Sequence, residues 1–409
     1  MSQYDCLILG AGAAGMMCAA QAGKRGGRVL VVDHAKAAGE KIRISGGGRC
    51  NFTNLHAAPE NFLSTNPHFA KSALARFTQW DFIDMVSRRG IAWHEKTLGQ
   101  LFCDGSAKDI IRMLLDEMHR VRAELRLRVA ATAIEKTADG FTIALSDGAR
   151  VRARTLVVAT GGKSIPKMGA TGFAYDVARQ FGHAVTETRP ALVPLTFGGR
   201  FAELAGVALP ARASTNGTAF DEAVLFTHRG LSGPAILQIS SYWREGGPIT
   251  LDLTPGTDAL ARLRACRAAD GRKSIGNALA TLMPARLATH TVERLTLGGN
   301  MADQSDAALR ALAGAIQGWH LVPAGSEGYR TAEVTLGGID TDGLDARTME
   351  SRTVPGLFFI GEALDVTGWL GGYNFQWAWS SGHAAGTAIA RRDKVPAASS
   401  CPKYSRRRH

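Results

Sequence analysis

No apolar run in the 409-residue sequence approaches the roughly 20 residues that a membrane-crossing helix needs, so no transmembrane segment is expected. The N-terminus lacks the basic, apolar, small-residue order of a signal peptide. Asp5 interrupts its short apolar run, which leads directly into a glycine turn, and the expected location is the cytoplasm. Only six cysteines are present (Cys6, Cys18, Cys50, Cys103, Cys266, Cys401), and no pair has the Cys-x-x-Cys spacing of a redox disulfide or a structural zinc site. Also missing are a Gly-x-Ser-x-Gly elbow, a His-Glu-x-x-His motif, a P-loop and any clustered set of metal ligands. No metal is expected, and no isolated His, Tyr or Glu sits in a constellation that assigns a catalytic acid or base.

What is present is a globular composition, 45% hydrophobic and 21% charged, in a chain long enough for two or three domains. Lys and Arg number 48 against 36 Asp and Glu, a formal net charge of +12 to which the C-terminal Lys403, Arg406, Arg407 and Arg408 contribute. Such an excess attracts anionic partners over long range and carries no information about fold.

The first motif is Gly10-Ala11-Gly12-Ala13-Ala14-Gly15, between the apolar run Tyr4 to Leu9 and an alanine-rich helical stretch to Lys24. Glycines at these spacings permit a tight turn, close approach of backbone to a pyrophosphate, and close helix-on-sheet packing. A second apolar run, Arg28 to Val32, ends at Asp33, whose carboxylate can accept hydrogen bonds from ribose hydroxyls and would repel a 2′-phosphate. The second motif is Ser45-Gly46-Gly47-Gly48-Arg49-Cys50-Asn51, where three bare residues let backbone lie against a planar ring or a phosphate. Arg43 and Arg49 are placed to offset negative charge on such a ring, and Cys50 is either a redox thiol or a packed, inert one. Ala159-Thr160-Gly161-Gly162 and Gly361-Glu362-Ala363-Leu364-Asp365 each follow an apolar run, where open α/β sheets place ligand-contacting turns. Gly371-Gly372-Tyr373-Asn374-Phe375-Gln376 then opens an apolar helix whose first backbone donors suit the O2 and N1 edge of a flavin.

The texture of the chain divides it. Helical spacing marks Phe69 to Arg89 and Lys108 to Arg122, flanking a loop around Phe102, and strand patterns mark Leu125 to Ala130, Phe141 to Leu145 and Val151 to Ala159. The expected organisation is an α/β dinucleotide-binding domain in two parts, 1–190 and 341–392, with a β-rich insertion at 191–257 and 319–340. A helical insertion at 258–318 interrupts the latter, and a tail at 393–409 is expected to be disordered. His228, in Phe226-Thr227-His228-Arg229-Gly230, is a weaker candidate for a substrate contact.

These motifs together resemble the BaiN/YhiN type of NAD(P)/FAD-dependent oxidoreductases. The resemblance rests on Gly10 to Gly15, Lys41 to Asn54, Ala159 to Gly162, Leu225 to Pro234 and Gly361 to Gln376, spanning nearly all of the chain but the tail. It implies a Rossmann-like two-dinucleotide-binding FAD domain, discontinuous, with an inserted β-barrel-like domain that itself carries a small helical insertion. By similarity FAD would be held by Gly10, Gly12, Gly15, Asp33, Lys41, Cys50, Asn51, Thr160, Gly161, Gly361, Glu362 and Asn374. The candidate cofactor set is completed by Ala13, Ala14, His34, Gly48, Arg49, Val129, Ala130, Gly162, Asp365, Gly371, Gly372 and Tyr373. One departure is Leu101-Phe102-Cys103-Asp104-Gly105, where relatives read Phe-Pro, and it leaves substrate choice open.

The expected activity is passage of a hydride, from NAD(P)H docking transiently, through flavin N5 to a small unsaturated or carbonyl substrate. The expected partners are therefore a small-molecule substrate and NAD(P)H rather than nucleic acid; the alternative, motivated by the net charge, is a flavin-dependent nucleic-acid-modifying or RNA-binding flavoprotein.

Overall fold

The computed structural model describes residues 2–392; the expected tail disorder, and Cys401, lie outside the described residues. The described chain separates into two compact units. One comprises residues 2–162, 168–187 and 337–392, the other 163–167 and 188–336.

In the first unit the apolar run after Ser2 forms the strand Ser2–Leu9, buried throughout its second half. It is parallel to Val29–Asp33 on one side (Cys6 opposite Val29, Leu9 opposite Val32) and to Arg150–Val158 on the other (Cys6 opposite Thr155, Leu9 opposite Val158). A strand flanked on both edges and covered on both faces reads as a continuous apolar run, and Cys6-Leu7-Ile8-Leu9 does. The sheet runs Glu124–Leu127, Val29–Asp33, Ser2–Leu9, Arg150–Val158, Gly140–Leu145, Ala131–Thr137.

Arg150–Val158 shows how sequence records position within this sheet. Its first half pairs antiparallel with Phe141 to Ala144, and there exposed Arg150, Arg152 and Arg154 alternate with buried Val151 and Ala153. Its second half pairs parallel with Leu357–Phe359, and there Thr155 to Val158 are all buried. One strand thus changes from period-two to continuous burial where its neighbour changes.

Two helices pack on each other beneath the glycine turn, Ala13–Ala22 and the twenty-residue Tyr373–Arg392. The contact is backbone-close: a Cβ on Gly382 would lie 2.5 Å from the Ala14 carbonyl oxygen, and one on Gly386 2.5 Å from that of Cys18. Small residues one turn apart are what bring the helices this near.

The structure departs from sequence expectation in three places. The stretch Phe69 to Arg89 is two helices, Phe69–Arg76 and Gln79–Arg88, because Thr78 caps the second, accepting from the Asp81 amide while its own amide donates to the Asp81 carboxylate. Phe102 lies in the strand Gln100–Cys103, the middle of a three-stranded antiparallel sheet with Asn51–Asn54 and Trp93–Glu95, rather than in a loop. The strand Ala131–Thr137 escaped notice because it is a sheet edge with Ile134 its one buried residue.

The second unit holds a seven-stranded antiparallel sheet in the order Trp319–Leu321, Ile249–Asp252, Ala208–Thr215, Thr218–Phe226, Gly230–Ser232, Leu195–Thr196, Gly325–Ser326. Its two end strands are consecutive in the chain. From Leu321 to Gly325 the backbone reaches at most about 14 Å, whereas seven flat strands would separate the ends by about 29 Å. The sheet therefore rolls up, which is the barrel-like form expected. Between its strands Ile249–Asp252 and Trp319–Leu321 the chain makes four helices, Ala259–Ala269, Ile275–Leu279, Ala285–Arg294 and Asp306–Gln317. Among the described residues no helix is long and apolar enough to cross a membrane.

Candidate functional site

The first glycine turn is shaped by contacts. A Cβ on Gly10 would meet the Ala159 carbonyl oxygen at 2.5 Å and one on Gly15 the Gly10 carbonyl oxygen at 1.9 Å, so both must be bare. Gly12, the residue before the helix Ala13–Ala22, has nothing within 4 Å of its Cβ position and opens onto free space. An unobstructed backbone at a helix N-terminus is where a diphosphate can approach. The Asp33 carboxylate accepts from the Ala11 amide at 2.6 Å and the Ala35 amide at 2.8 Å, which ties the turn to the end of the second strand. Asp33 retains lone pairs for ribose hydroxyls. His34 stands at 3.6 Å from Asp33 and packs over Gly169, where a Cβ would come within 2.1 Å of the imidazole. The Val129 amide donates to the Asp33 carbonyl at 3.0 Å, bringing Val129 beside the same strand end, whereas the Ala130 amide donates to the Ser146 hydroxyl and its carbonyl accepts from the Ser146 amide.

The second bend is shaped by conformation. Gly46, Gly47 and Gly48 have φ of 56°, 65° and 86°, followed by Cys50 at 53°. A Gly46 Cβ would strike the Phe102 ring at 2.7 Å, but Gly47 again faces open space and Gly48 nearly so. Arg49 is exposed, while the Arg43 guanidinium donates to the Ala38 carbonyl at 3.3 Å. Cys50 is fully buried, and burial pushes its thiol well above the ordinary range; Cys103 is likewise pushed up to about 12, by burial and then by Asp109 and Asp104. Neither is a thiolate at neutral pH, which favours the packed reading of Cys50.

The structure brings the two distinctive glycine blocks together although 320 residues separate them. Gly372 lies against the Asn51–Asn54 strand, where a Cβ would come 2.3 Å from the Thr53 carbonyl oxygen, and Gly371 lies against the Gln100 side chain. The Asn54 amide donates to the Gly371 carbonyl at 2.9 Å, and the Thr53 hydroxyl to Gln376 at 2.6 Å. Asn51 faces Gln100 at 3.2 Å. Nearby, Lys41 and Glu362 form an ion pair at 2.6 Å, and the Gly161 Cβ position lies 3.9 Å from the same Glu362 carboxylate. The Thr160 hydroxyl, in this turn, is buried without a hydrogen-bond partner. A buried polar atom without a partner calls for one from a ligand.

Other candidates have their polar groups committed to the protein. Asn374 brackets the Gly368–Trp369 backbone with three hydrogen bonds of 2.9 to 3.2 Å. Asp365 accepts from the amide and hydroxyl of Thr65 at 2.9 and 2.5 Å, and Gly361 engages Ser381 and Trp377 through its amide and carbonyl. Ala14 fills the space that a Gly361 side chain would need. Tyr373 sits edge-on between Phe62 and Trp369, Gly162 is buried, and His228 lies exposed at a hairpin tip in the other unit. Absent from the expected set were Phe102, Gln100 and Asn54, which line the bend and hold the second glycine block. Asn54 stood inside the resembling stretch and Phe102 inside the departure Leu101 to Gly105, but neither these nor Gln100 carried a local signal for this position, because only the sheet register brings them here.

An open backbone at Gly12, a second at Gly47, a carboxylate at the strand end and an orphaned hydroxyl at Thr160 fit a dinucleotide carrying a planar ring. Residues 4–388 match the family described as HI0933-like protein Rossmann domain. The chain is 54% identical to the ribosomal RNA dihydrouridine synthase of Escherichia coli (strain K12), covering 94% of this chain and 97% of that one. It is 45% identical to the protein of the same name from Haemophilus influenzae, covering 96% and 100%. It is 30% identical to the 3-dehydro-bile acid delta(4,6)-reductase of Clostridium scindens, covering 94% and 98%. Among solved structures, the 3-ketosteroid-delta4-(5alpha)-dehydrogenase of Rhodococcus jostii RHA1 shares the fold at TM-score 0.51 and 14% identity, covering 95% and 97%. The chain belongs to the HI0933-like Rossmann family, the FAD-dependent oxidoreductases of BaiN/YhiN type that its glycine blocks resemble.

Proposed function

We propose that this flavoprotein reduces a carbon–carbon double bond conjugated to a carbonyl, and that the bond is C5–C6 of uracil in ribosomal RNA. The observation that carries the reading is full-length similarity to relatives whose names specify two unlike substrates with one kind of electrophile. Saturating uridine to dihydrouridine removes a double bond conjugated to the C4 carbonyl, and a 3-dehydro-delta(4,6) steroid presents a double bond conjugated to its ketone. The identities of 54% and 45% favour RNA over the steroid, and the net charge of +12 suits a polyanion.

Bound FAD, once reduced by the proposed reductant NAD(P)H, would supply the hydride to one carbon of the double bond, and the proton that completes saturation at the other would come from solvent. The chain's own residues bind and orient. Gly12 lets the diphosphate reach the helix start, and Asp33 accepts from ribose. The Thr160 hydroxyl takes its missing partner from the cofactor. Lys41 remains paired with Glu362, which holds a positive charge beside the Thr160 turn without leaving it uncompensated. Gly47 leaves one face of the bend bare for a flat ring.

The test combines anaerobic mixing of the holoprotein with NADH and NADPH, to see flavin absorbance bleach, with nucleoside mass spectrometry of ribosomal RNA from cells with and without the gene. Bleaching together with loss of dihydrouridine in the deletion supports the reading. Bleaching with unchanged dihydrouridine, and reoxidation by a small conjugated enone, would favour the small-molecule reading that the 30% identical relative suggests. Failure to bleach with either nicotinamide would remove NAD(P)H as reductant.

A further inference from the structure

The second unit gathers cationic groups around one pair of aromatic rings. On the helix Ala285–Arg294, His290 and Arg294 are four residues apart and therefore share a face. That face meets the buried rings of Phe201 and Trp319, which contact each other edge to face at 5.6 Å. The His290 ring stands 6.4 Å from Phe201 and 6.3 Å from Trp319, and the Arg294 guanidinium lies 4.5 Å over the indole. Arg200 reaches the same place from another segment, its guanidinium 5.6 Å over the Phe201 ring.

No counter-charge accompanies them. None of the three is ion-paired among the described residues, whereas Arg212, Arg264, Arg267 and Arg310 of the same unit each meet an aspartate. Glu203 and Glu293 act on His290 only from a distance, and both are exposed. Arg286, the other arginine of the helix, donates to the Glu203 and Ala205 carbonyls and adds positive charge nearby. Burial, and then Arg294 and Arg200, lower the proton affinity of His290; burial, and then Arg200, lower that of Arg294. The cluster thus holds mutually repelling groups together.

Its hydrogen bonding is also incomplete. His290 Nε2 and Arg294 Nε are buried without a hydrogen-bond partner. Arg294 does donate from Nη2 to the Ala315 carbonyl at 3.3 Å, near the end of the helix Asp306–Gln317, and its stacking on Trp319 offsets part of the cost of burial. Neither contact gives Nε an acceptor or brings a negative charge. A water would accept a hydrogen bond and still leave the charge uncompensated. The cluster opens to solvent beside Arg200: Gly198, Gly199 and Arg200 are all exposed, and a Cβ on either glycine would meet nothing within 4 Å. His290 and Arg294 behind them are half-buried.

We propose that Arg200, His290 and Arg294 form a binding site for a phosphate group, carried by a nucleotide or by an RNA backbone. A phosphate brings acceptor oxygens and negative charge in one small group, and guanidinium forks match its geometry. A protonated imidazole donates from both nitrogens and completes the set. The site lies wholly within the second unit and requires no assumption about which double bond the flavin reduces.

The test is the thermal midpoint of the FAD-loaded protein in sodium phosphate against sodium chloride of equal ionic strength, with the cofactor filling its own phosphate-binding turn. Phosphate at about ten times its dissociation constant should raise the wild-type midpoint by about 4 °C. Arg200→Gln, binding about tenfold more weakly, should show about a third of that rise. Its midpoint in chloride should stay at or above the wild-type value, because an exposed like charge is gone; an arginine with only a structural role would lower it. Arg294→Gln should abolish the rise, and Arg244→Gln, an exposed arginine outside the cluster, should keep it in full. If Arg294→Gln does not fold, Arg200→Gln carries the test alone. NADP⁺, NAD⁺ and an oligouridylate of about 12 nucleotides then distinguish the carriers. A rise with NADP⁺ and not NAD⁺, lost in Arg200→Gln, assigns the site to the 2′-phosphate; a rise with the oligouridylate, lost in the same variant, assigns it to an RNA backbone. No rise with phosphate in the wild type, or equal rises in wild type and both cluster variants, would overturn the site. So would a rise with inorganic phosphate that neither NADP⁺ nor the oligouridylate reproduces, which marks an adventitious ion only.

Discussion

The two glycine-rich turns of the first unit use the same residue for largely different reasons. At Gly10 to Gly15 the outer glycines are bare because backbone occupies the place of a side chain, that of Ala159 at 2.5 Å from Gly10, which also has a positive φ of 106°, and that of Gly10 at 1.9 Å from Gly15. At Gly46 to Gly48 the backbone runs left-handed for three residues, and two of the three have open space where a side chain would stand. The first turn is a packing solution with one window, at Gly12. The second is a conformational solution with an open face. A turn built by packing should fail through folding, and one built by conformation through its ligand.

That contrast can be broken by substitution, and the largest expected effect is at Gly15. Gly15→Ala forces a methyl into the Gly10 carbonyl and should cost about 3 kcal/mol of stability; an unchanged thermal midpoint would remove the packing account. Gly12→Ala tests the window. The apoprotein should stay within about 1 kcal/mol of wild type, while FAD dissociation, followed by flavin fluorescence, should rise about 10- to 100-fold, as expected for a methyl costing about 1–3 kcal/mol in a filled site. Equal losses at positions 12 and 15 would erase the distinction between them.

Gly47→Ala should cost about 1–2 kcal/mol through its positive φ alone, and substitution by a D-alanine through chemical ligation should restore the apoprotein. If the D-residue is as destabilised as the L-residue, conformation is not the reason for that glycine. The smallest effect is expected at Thr160. Thr160→Val removes a buried hydroxyl that has no partner, so the apoprotein should lose nothing and gain up to about 1 kcal/mol. FAD should bind roughly fivefold more weakly, the worth of one hydrogen bond. A destabilised apoprotein with unchanged FAD affinity would place that hydroxyl in the protein's own bonding.

Much of the frame was legible in the chain. The continuous burial of Cys6 to Leu9, the glycine spacing after it and the carboxylate at Asp33 are local signals, because periodicity and turn chemistry depend on neighbours in sequence. The tight helix pair depends on small residues four apart in the chain, Gly382 and Gly386. Less legible was the role of each candidate. Asn374, Asp365 and Gly361 belong to motifs that point to a cofactor, yet their side-chain or backbone polar groups hold neighbouring loops. A motif marks a place and does not say which of its atoms are already bonded.

The sequence alone determined the class of fold, the family, and which turns are free of side chains, since each follows from residues adjacent in the chain. Only the tertiary structure decided that the Ser45 to Asn51 bend and the Gly371 to Gln376 block share one site through Thr53 and Asn54. The same holds for Phe102, Gln100 and Lys96 beside it. The physical reason is register: pairing Asn51 with Phe102 and Phe102 with His94 is set by how distant segments return to one sheet, and no window of neighbouring residues contains that information.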